Sequence, residues 1–414
     1  PYWFPTVIPE SNLVKEKEHI KGFTPEVFWV THGGDSKFDE RLALRPTSET
    51  AFYQMFALWL RSYKQLPFKT YQRANVFRHE TKATRPFLRG REFHWIETHC
   101  LFKNEEEAMQ QVLDDMNTTR EILHDIMGMP LMFFERPSWD KFPGASRTFA
   151  ADALMHDGKL LQLPSTHLIS QEFLKAFGVS FKDKDGKEKT PFSTCYGPGI
   201  SRIFASVVIV HGDDKGLRFP WEIAPKHIAI VPLSEMGLKK AHELIKRLDL
   251  DVSCVIDESD KSPGEKFNYW ELKGVPIRID IGDNEIKKRK LSVFRRDLNK
   301  KEIIAEKDFI KYIEKVKKEC GANLKKEAER AFEGRIHDVK NLNDMKKFIE
   351  SGNIVRCGFC SVAVDGAICA NKINELTGAH VRGTPLQKEK MRDGRVCVVC
   401  GEKATDVVYV GRSY

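Results

Sequence analysis

The segment of residues 73–99 constrains the fold of this chain most, because it predicts two strands joined by an arginine-rich turn. Side chains alternate between the two faces of a strand, so Arg78 and Glu80 share one face. On the return strand, one face collects polar and aromatic side chains: Phe93, Trp95, Glu97 and His99. A strand that only covers a core would carry aliphatic residues there. The pattern therefore favours a functional hairpin over a purely structural one.

The turn between these strands has the chemistry of a phosphate site. Guanidinium groups are permanently charged, forked donors that match phosphate and carboxylate oxygens. Four of them surround the turn: Arg78, Arg85, Arg89 and Arg91. On this segment alone, a surface hairpin with solvated charges remains the alternative.

Length and composition indicate a globular protein of two or three domains, since 414 residues exceed one average domain. The net charge of +8 favours a polyanionic partner. No apolar run approaches the roughly 20 residues that a membrane span needs. Nine cysteines without a secretory signal predict reduced thiols and a cytoplasmic location. The chain opens inside a strand-like segment without Met, so we expect the natural protein to extend further upstream.

The first 225 residues predict a mainly antiparallel sheet flanked by helices. The clearest helix covers residues 105–127, with apolar side chains at spacings of three or four, and ends before Gly128 and Pro130. Strands close in sequence with hairpin-scale turns favour antiparallel pairing. The strand-like runs are residues 4–8, 74–78, 92–102 and 200–210.

A different pattern follows, in which strands and helices alternate through HIAIVPL, GLKKAHELIKRL, DVSCVID, VPIRIDIG and LSVFRRD. Such alternation predicts a separate α/β domain. The fold class is therefore α/β in the broad sense (α+β), with an antiparallel sheet, an α/β domain and a small cysteine-bearing domain. The three domains are expected at residues 1–225, 226–315 and 316–414.

Two cysteine pairs in the last domain predict a metal site. The pairs Cys357-x-x-Cys360 and Cys397-x-x-Cys400 suit tetrahedral zinc, and four thiolates leave no open position, which indicates a structural ion. Two coincidental groups of free thiols are the alternative. Isolated cysteines are expected to be packing residues: Cys100, Cys195, Cys254 and Cys320.

The motif RPTSET offers a second polar site. If the segment is extended, Thr47 and Glu49 lie on one face, where a hydroxyl beside a carboxylate can hold a protonated amine. A Ser/Thr-x-x-Glu pattern also caps helices, and the following SETAFYQMFALWLRSY is helical in character. Both interpretations stay open on this motif alone.

Three motifs together resemble the class II aminoacyl-tRNA synthetases. FRHE at 77–80, the basic turn and REF at 91–93 resemble the second signature motif of that class, and GPGISR at 197–202 before IFASVVIVHG resembles the third. Pro5 in FPTVIP resembles the first, which lies at the dimer interface. Within the class, the chain is similar over essentially its whole length to the prolyl-tRNA synthetases of archaeal and eukaryotic-like type. The similar segments are RPTSET, PFLRGREFHWIETH, ALMHDGKLLQLPSTH, HGDDKGL and PGEKFNYWELKGVPIRIDIG.

This resemblance implies a homodimeric ligase that activates L-proline with ATP and Mg²⁺ and transfers it to tRNA(Pro). Arg78 and Arg202 would be the catalytic residues, and Phe93 would stack on adenine. Proline would be bound by Thr47, Glu49, Arg78, Trp95, Glu97, His99 and His167. ATP would be bound by Arg78, Glu80, Arg89, Phe93, Gln162, Ser165 and Arg202.

The resemblance also assigns the later domains. Residues 226–315 would bind the anticodon, with candidate contacts, each alternatively a solvated surface charge, at Glu271, Arg278, Arg295 and Arg296. The last domain would hold zinc, and the family pattern favours Cys369 over Cys360. Five cysteines thus compete for four places: Cys357, Cys360, Cys369, Cys397 and Cys400. Tyr414 would return its carboxylate toward the active site.

Two departures and two alternatives accompany this interpretation. CYGPG at 195–199 stands where many relatives carry Ser-Trp-Gly, and about 100 residues between the second and third motifs are too few for the editing domain of bacterial relatives. Because apolar pockets discriminate poorly against smaller side chains, alanine or cysteine could be activated as well.

The alternatives are a sister class II synthetase for threonine, serine or glycine, or a non-catalytic tRNA-binding paralogue. Such paralogues usually lose the catalytic arginines, which are present here.

Overall fold

The computed structural model describes residues 1–19, 27–81, 84–387, 389 and 396–414. The chain divides into two compact units. The first unit comprises residues 1–119, 131–205 and 335–414, and the second comprises residues 120–130 and 206–334. The finer division at residues 225 and 315 stays a prediction.

The strands are named in chain order. They are β1 (Val7–Pro9), β2 (Trp29–Gly33), β3 (Ser36–Leu44), β4 (Phe68–Phe77), β5 (Glu92–Phe102), β6 (Met132–Glu135), β7 (Ala145–Leu154), β8 (Leu160–Ile169), β9 (Phe181–Lys182), β10 (Glu188–Lys189), β11 (Phe192–Gly197), β12 (Ile228–Pro232), β13 (Cys254–Ile256), β14 (Ile277–Ile281), β15 (Lys290–Arg295), β16 (Lys300–Ala305), β17 (Ile336–Asp338), β18 (Ile354–Phe359), β19 (His380–Pro385) and β20 (Asp406–Gly411).

The α-helices are named in the same way, and a π-helix at Arg120–Ile126 continues the third of them. They are α1 (Glu10–His19), α2 (Glu49–Trp59), α3 (Glu105–Thr119), α4 (Gln171–Ala176), α5 (Ile200–His211), α6 (Glu235–Ile245), α7 (Pro263–Leu272), α8 (Asp283–Lys287), α9 (Phe309–Glu333), α10 (Leu342–Glu350) and α11 (Ala367–Thr377).

A large sheet organises the first unit. Among the described residues it has ten strands in the order β17-β18-β20-β19-β6-β7-β8-β11-β5-β4. Neighbouring strands run antiparallel, apart from the parallel pair of β17 and β18. The predicted antiparallel sheet is confirmed, and it includes strands of the C-terminal segment.

The predicted hairpin is the edge of this sheet. Strand β4 pairs with β5 from Phe68 opposite Leu101 to Phe77 opposite Glu92. Helix α2 packs on the same part of the sheet through Phe52 and Phe56, which are fully buried in a core with Leu101. An aromatic core of this kind makes β4 and β5 a firm support for the arginine-rich turn.

Two sequence predictions need correction. Residues 200–210 were expected as a strand, but they form α5, in which Ile203, Val207 and His211 are buried at intervals of four residues. A short apolar run fits a buried strand and a buried helix equally well, which explains the error. The helix expected at 105–127 is present, but after Thr119 it widens into the π-helix. It ends before Gly128, whose φ of 67° few other residues adopt.

The second unit contains the predicted α/β domain. Among the described residues its five strands follow the order β13-β12-β14-β15-β16, and β12 runs parallel to both of its neighbours. Helix α9 contributes Phe309, Ile313 and Val316 to the core formed with the isoleucines of β12 and β14. No helix among the described residues is both long enough and apolar enough to cross a membrane.

Candidate active site

A cavity of about 550 Å³ lies in the first unit, where β4, β5, β8 and β11 meet the arginine-rich turn. Most of the residues predicted to bind proline or ATP line it: Thr47, Glu49, Arg78, Glu80, Arg89, Phe93, Trp95, Gln162, Ser165, His167 and Arg202. The structure therefore brings together residues that are up to 155 positions apart in the chain, from Thr47 to Arg202.

Glu97 and His99 are fully buried and support the cavity wall from behind Thr47. The Glu97 carboxylate accepts hydrogen bonds from Thr47 Oγ1 at 3.1 Å, from the Ser48 amide at 3.2 Å and from Gln72 Nε2 at 2.9 Å. Burial favours the neutral acid, but the neighbouring His99 and the hydrogen bonds from Ser48 and Gln72 lower the pKa of Glu97 to about 2. An ionised Glu97 thus fixes the Thr47 hydroxyl at the cavity surface.

Glu49 is the first residue of α2 and is buried at the cavity wall. Cys195 Sγ lies 3.7 Å from Glu49 Oε1 and donates to it. The motif does start a helix, because Ser48 is the N-cap residue of α2. The Ser48 side chain makes no capping hydrogen bond, however, and accepts one from Gln72 instead. Thr47 and Glu49 therefore face the cavity from a loop and a helix start, not from an extended strand.

Arg78 lies between these polar groups and the aromatic wall. Its Nε donates to the Pro46 carbonyl at 3.3 Å, and its guanidinium is 5.3 Å from the ring of Phe93 and 5.5 Å from that of Trp95. Burial lowers the pKa of Arg78, although nearby carboxylates oppose this. A guanidinium held by neutral contacts keeps its charge available for an anion.

Arg202 fixes two parts of the cavity at once. It donates from Nε to the Leu88 carbonyl and from Nη1 to the Gln162 carbonyl, both at 3.0 Å. Burial, with the charges of Arg78 and Arg89, lowers the pKa of Arg202 to about 10. Such mutual repulsion marks a concentration of positive charge, which an anion of several charges would relieve.

The arginine-rich turn is shaped by its own contacts. Arg89 forms an ion pair with Glu80 at 2.8 Å, and its amide bonds to Arg85. Phe87, which is exposed at the cavity rim, has a φ of 61° and packs edge-on against Phe204. Residues 82 and 83 lie outside the described residues, and Arg91 is exposed.

The C-terminal residue lies near this turn. The ring of Tyr414 is 5.3 Å from the Arg85 guanidinium and 5.2 Å from Lys159 Nζ. Its amide donates to the Leu160 carbonyl at 3.2 Å.

His167 supplies a neutral imidazole to the wall. Its Nδ1 lies 3.0 Å from Thr148 Oγ1 and its Nε2 lies 3.1 Å from Ser165 Oγ. Burial, with the neighbouring His99 and Arg136, lowers the pKa of His167 to about 4. At neutral pH one ring nitrogen therefore donates and the other accepts.

Sequence reasoning missed part of the lining: Phe87, Leu88, Arg136, Thr148 and residues 140–143. Arg136 begins RPSWDKFPG, where charged, aromatic and turn-forming residues are concentrated after a strand, and that signal could have been used. Cys195 was predicted to be a packing residue. It does lie in an aromatic core, but it also borders the cavity.

Four cysteines in the C-terminal part of the first unit form one cluster: Cys360, Cys369, Cys397 and Cys400. Their sulfur atoms all lie within 4.8 Å of one another, and Sγ of Cys360 and Sγ of Cys369 are 3.7 Å apart. A tetrahedron with zinc–sulfur bonds of about 2.3 Å has edges of about 3.8 Å. The donors present therefore fit a structural zinc ion.

Cys357 does not belong to this cluster and Cys360 does, together with Cys369, which corrects the ligand prediction. It lies in β18 opposite Val408, fully buried in the core of the C-terminal segment. Cys360 follows the end of β18 and is free to turn toward the other sulfurs. Sequence spacing placed Cys357 and Cys360 in one pair, but the strand directs the former into the core.

The candidate anticodon residues lie in the second unit, where three arginines are buried in ion pairs. Arg278 pairs with Glu271 at 2.6 Å and Arg295 pairs with Asp297 at 2.7 Å. Arg296 is only 1% exposed and also forms an ion pair, with Asp213. The alternative of solvated surface charges is wrong for the arginines. Contacts with bases stay a prediction.

Comparison with family models gives three matches. The tRNA synthetase class II core domain (G, H, P, S and T) matches residues 28–211, the anticodon binding domain matches residues 227–316, and the C-terminal domain of prolyl-tRNA synthetase matches residues 342–414.

Individual relatives agree with these matches. The proline-tRNA ligase of Thermofilum pendens is 45% identical over 100% of this chain and 86% of its own length, and that of Methanobrevibacter smithii is 41% identical over 99% and 88%. The solved structure of Giardia lamblia prolyl-tRNA synthetase in complex with prolyl-adenylate superposes with a TM-score of 0.94. It is 35% identical and covers 100% of this chain and 87% of the other.

Proposed function

We propose that the cavity activates L-proline with ATP and then transfers the prolyl group to tRNA(Pro). The reason is that this chain belongs to the prolyl-tRNA synthetase family. The chain is an aminoacyl-tRNA synthetase, a ligase that converts ATP to AMP and pyrophosphate. One observation carries the residue assignment: a hydroxyl, a carboxylate and a cluster of guanidinium groups face the same cavity.

Proline would bind where the cavity is most polar. Its imino cation fits between Glu49 and the Thr47 hydroxyl, which Glu97 holds in place. Its carboxylate then points toward Arg78. Trp95 and His167 would enclose the ring, with His99 supporting the wall from behind.

ATP would occupy the arginine-rich side. The ring of Phe93 offers a face for adenine, and Arg202 lies where it can cover the other face and reach the phosphates. The remaining contacts are proposed for Glu80, Arg89, Gln162 and Ser165.

The first reaction step is an in-line displacement at phosphorus. A proline carboxylate oxygen bonds to the α-phosphorus while the bond to the bridging oxygen of the β-phosphate breaks, so pyrophosphate leaves and prolyl-adenylate forms. Catalysis of this kind depends on positioning and charge neutralisation. Arg78, which can contact both carboxylate and α-phosphate, does both.

The second step transfers the prolyl group. A ribose hydroxyl at the 3′ end of tRNA attacks the carbonyl carbon, an ester forms, and AMP leaves as the mixed anhydride breaks. The hydroxyl proton passes to the departing phosphate. Because the adenylate is already activated, no protein nucleophile is required.

Two metal ions belong to the proposal. Mg²⁺ usually binds substrate phosphates together with one or two carboxylates, and Glu80 is the carboxylate among the residues assigned to ATP. When bound, Mg²⁺ supplies further neutralisation of the triphosphate. Zinc would be held by Cys360, Cys369, Cys397 and Cys400 as a structural ion.

The remaining assignments concern partners and location. The matched anticodon-binding domain supports recognition of tRNA by the second unit. A second copy of the chain is proposed to cover the exposed aromatic residues near β1 and β2, Trp3 and Trp29. All nine cysteines are described as free thiols, which supports the cytoplasm as the compartment.

Aminoacylation tests this function directly. Radiolabelled proline should become acid-precipitable in the presence of ATP, Mg²⁺ and total tRNA, and labelled threonine, serine or glycine should not. Preferential attachment of one of these three would identify a sister synthetase, and attachment of none of the four would indicate a non-catalytic paralogue.

A further inference from the structure

We propose that the C-terminal segment, residues 335–414, is a working part of the amino-acid side of the cavity, because it holds the loop of residues 137–144 through Trp139. This inference rests on the proposed function, since it assigns that side of the cavity to proline. Residues 137–144 are called the pocket loop below.

One side of the pocket loop faces the cavity. Residues 140–143 belong to the lining, and the ring of Phe142 lies 5.1 Å from that of His167. The position of the loop therefore sets how closely this wall approaches a bound amino acid.

The other side of the pocket loop is inserted in the C-terminal segment. Trp139 packs on the hydrophobic core of that segment, with its ring 6.2 Å from that of Phe359. The Ser138 amide donates to the Val362 carbonyl at 2.9 Å. A Cβ at Gly366 would collide with the Ser361 carbonyl and would also lie 3.1 Å from Trp139 Cζ3, so the backbone and the indole both approach this glycine closely.

A buried ion network makes a second connection just before the loop. Arg136 pairs with Asp152 at 2.6 Å and donates to the Arg382 carbonyl at 2.7 Å, while Arg382 Nε donates to Asp152 at 2.8 Å. Arg136 also donates to Gln162 Oε1 at 2.9 Å. Removing one partner of such a network leaves an uncompensated buried charge, so the connection is firm.

The far end of the pocket loop is fixed independently. The Phe142 amide donates to Thr148 Oγ1 at 2.9 Å, and Lys141 Nζ donates to the Ala145 carbonyl at 2.6 Å. The part of the loop that lies between Arg136 and these bonds contacts the C-terminal segment through Ser138 and Trp139.

The residues that contact the pocket loop are close in sequence to one of the clustered cysteines. Phe359 and Val362 flank Cys360, one of the four clustered cysteines. The segment that carries a proposed zinc ligand therefore also carries the contacts of the pocket loop. A displacement of the C-terminal segment would therefore also displace the part of the cavity wall that is proposed to bind proline.

Trp139→Ala tests the inference. We expect the proline KM in ATP–pyrophosphate exchange to rise about tenfold, equivalent to 1.4 kcal/mol, while the ATP KM changes less than about twofold. Trp139→Phe, which keeps a ring for Phe359, should restore most of the proline affinity. Ile368→Ala is the matched control, because Ile368 is 67% exposed on α11 of the same segment.

Limited proteolysis adds a readout that does not depend on activity. Trypsin should cleave after Lys141 faster in Trp139→Ala than in the parent chain or in Ile368→Ala, because the loop has lost its seat. Zinc content and Tm of the variant should remain close to those of the parent, which distinguishes loop release from unfolding of the module.

Several outcomes overturn the proposal: an unchanged proline KM, equal increases in the KM values for proline and ATP, or unchanged cleavage at Lys141. If Trp139→Ala does not fold, Trp139→Leu is measured in its place against the same criteria. Failure of the parent chain to exchange pyrophosphate with proline would overturn the proposed function instead, so the two failures are distinguishable.

Discussion

Arg78 shows how a single residue acquires a role from its surroundings. Its contacts with the Pro46 carbonyl and with the rings of Phe93 and Trp95 hold the guanidinium without neutralising it. Glu97, in contrast, is held ionised by hydrogen bonds and serves to orient Thr47. Charge in this cavity is therefore placed before substrate arrives, which is the condition for electrostatic stabilisation of a transition state.

Arg78→Ala should lower kcat for pyrophosphate exchange by about 100-fold or more, since a preorganised donor at the reacting centre is typically worth about 3 kcal/mol. Arg73→Ala is the control, because Arg73 is exposed on β4, the strand that ends just before Arg78. Equal rates in both variants would contradict the role of Arg78.

Titration of the buried Asp115 carboxyl group should make the stability of the protein depend on pH. It is 6% exposed and accepts from Thr166 Oγ1 and Gln111 Nε2, each at 2.8 Å. Burial raises its pKa to about 6, above about 3.9 in the unfolded chain. The folded state therefore binds the extra proton between these values, and its stability falls as pH rises through about 6.

Asp115→Asn removes this titration. Unfolding by urea at pH 4.5 and pH 7.5 should show a smaller loss of stability with pH in the variant, by about 1–3 kcal/mol. Parallel changes in variant and parent would mean that Asp115 is not the group responsible.

At the level of elements, strand β18 determines that Cys360, and not Cys357, joins the cluster of sulfur atoms. Its residues alternate between faces and its end at Phe359 releases Cys360 toward the cluster. We expect the parent chain and Cys357→Ser to contain one zinc ion and Cys369→Ser to contain none, as measured by mass spectrometry of metal content. Zinc loss from both variants, or from neither, would contradict this assignment of ligands.

The end of strand β11 sets the width of the cavity beside Trp95. A Cβ at Gly197 would lie 3.1 Å from Trp95 Cη2 and 3.2 Å from Cζ2, so the indole would have to move. Gly197→Ala should raise the proline KM by about tenfold or more, because misplacement of a binding group weakens ground-state and transition-state contacts together. Gly264→Ala, where the added carbon meets open space, should leave that KM unchanged.

How far the elements follow from sequence depends on the range of the interactions that form them. Residues 92–102 were predicted as a strand and form β5, because alternation is a local signal. Residues 200–210 were mistaken for a strand because a short apolar run is ambiguous. The position of the pocket loop could not be predicted, since the Ser138 amide bonds to the carbonyl of Val362, which lies far along the chain.

The whole molecule consists of the first unit, which contains the cavity, and the second unit, which contains the α/β domain. The cavity, the pocket loop and the thiolate cluster all lie in the first unit, and they include residues from the N-terminal and C-terminal segments of the chain. A net charge of +8 suits a chain whose partner is a polyanion. Family resemblance anticipated part of the cavity lining, but residues 140–143 and the buried positions of Arg295 and Arg296 required the three-dimensional structure.

Activation of proline is the function proposed for this cavity. Amino-acid-dependent exchange of labelled pyrophosphate into ATP measures that step alone, without tRNA, and the panel should contain proline, alanine, cysteine, threonine and serine. We predict exchange driven chiefly by proline, with alanine and cysteine weaker by about 10- to 200-fold per missing methylene. Exchange driven chiefly by threonine or serine, or no exchange with any of the five despite ATP binding, would contradict proline activation by this cavity.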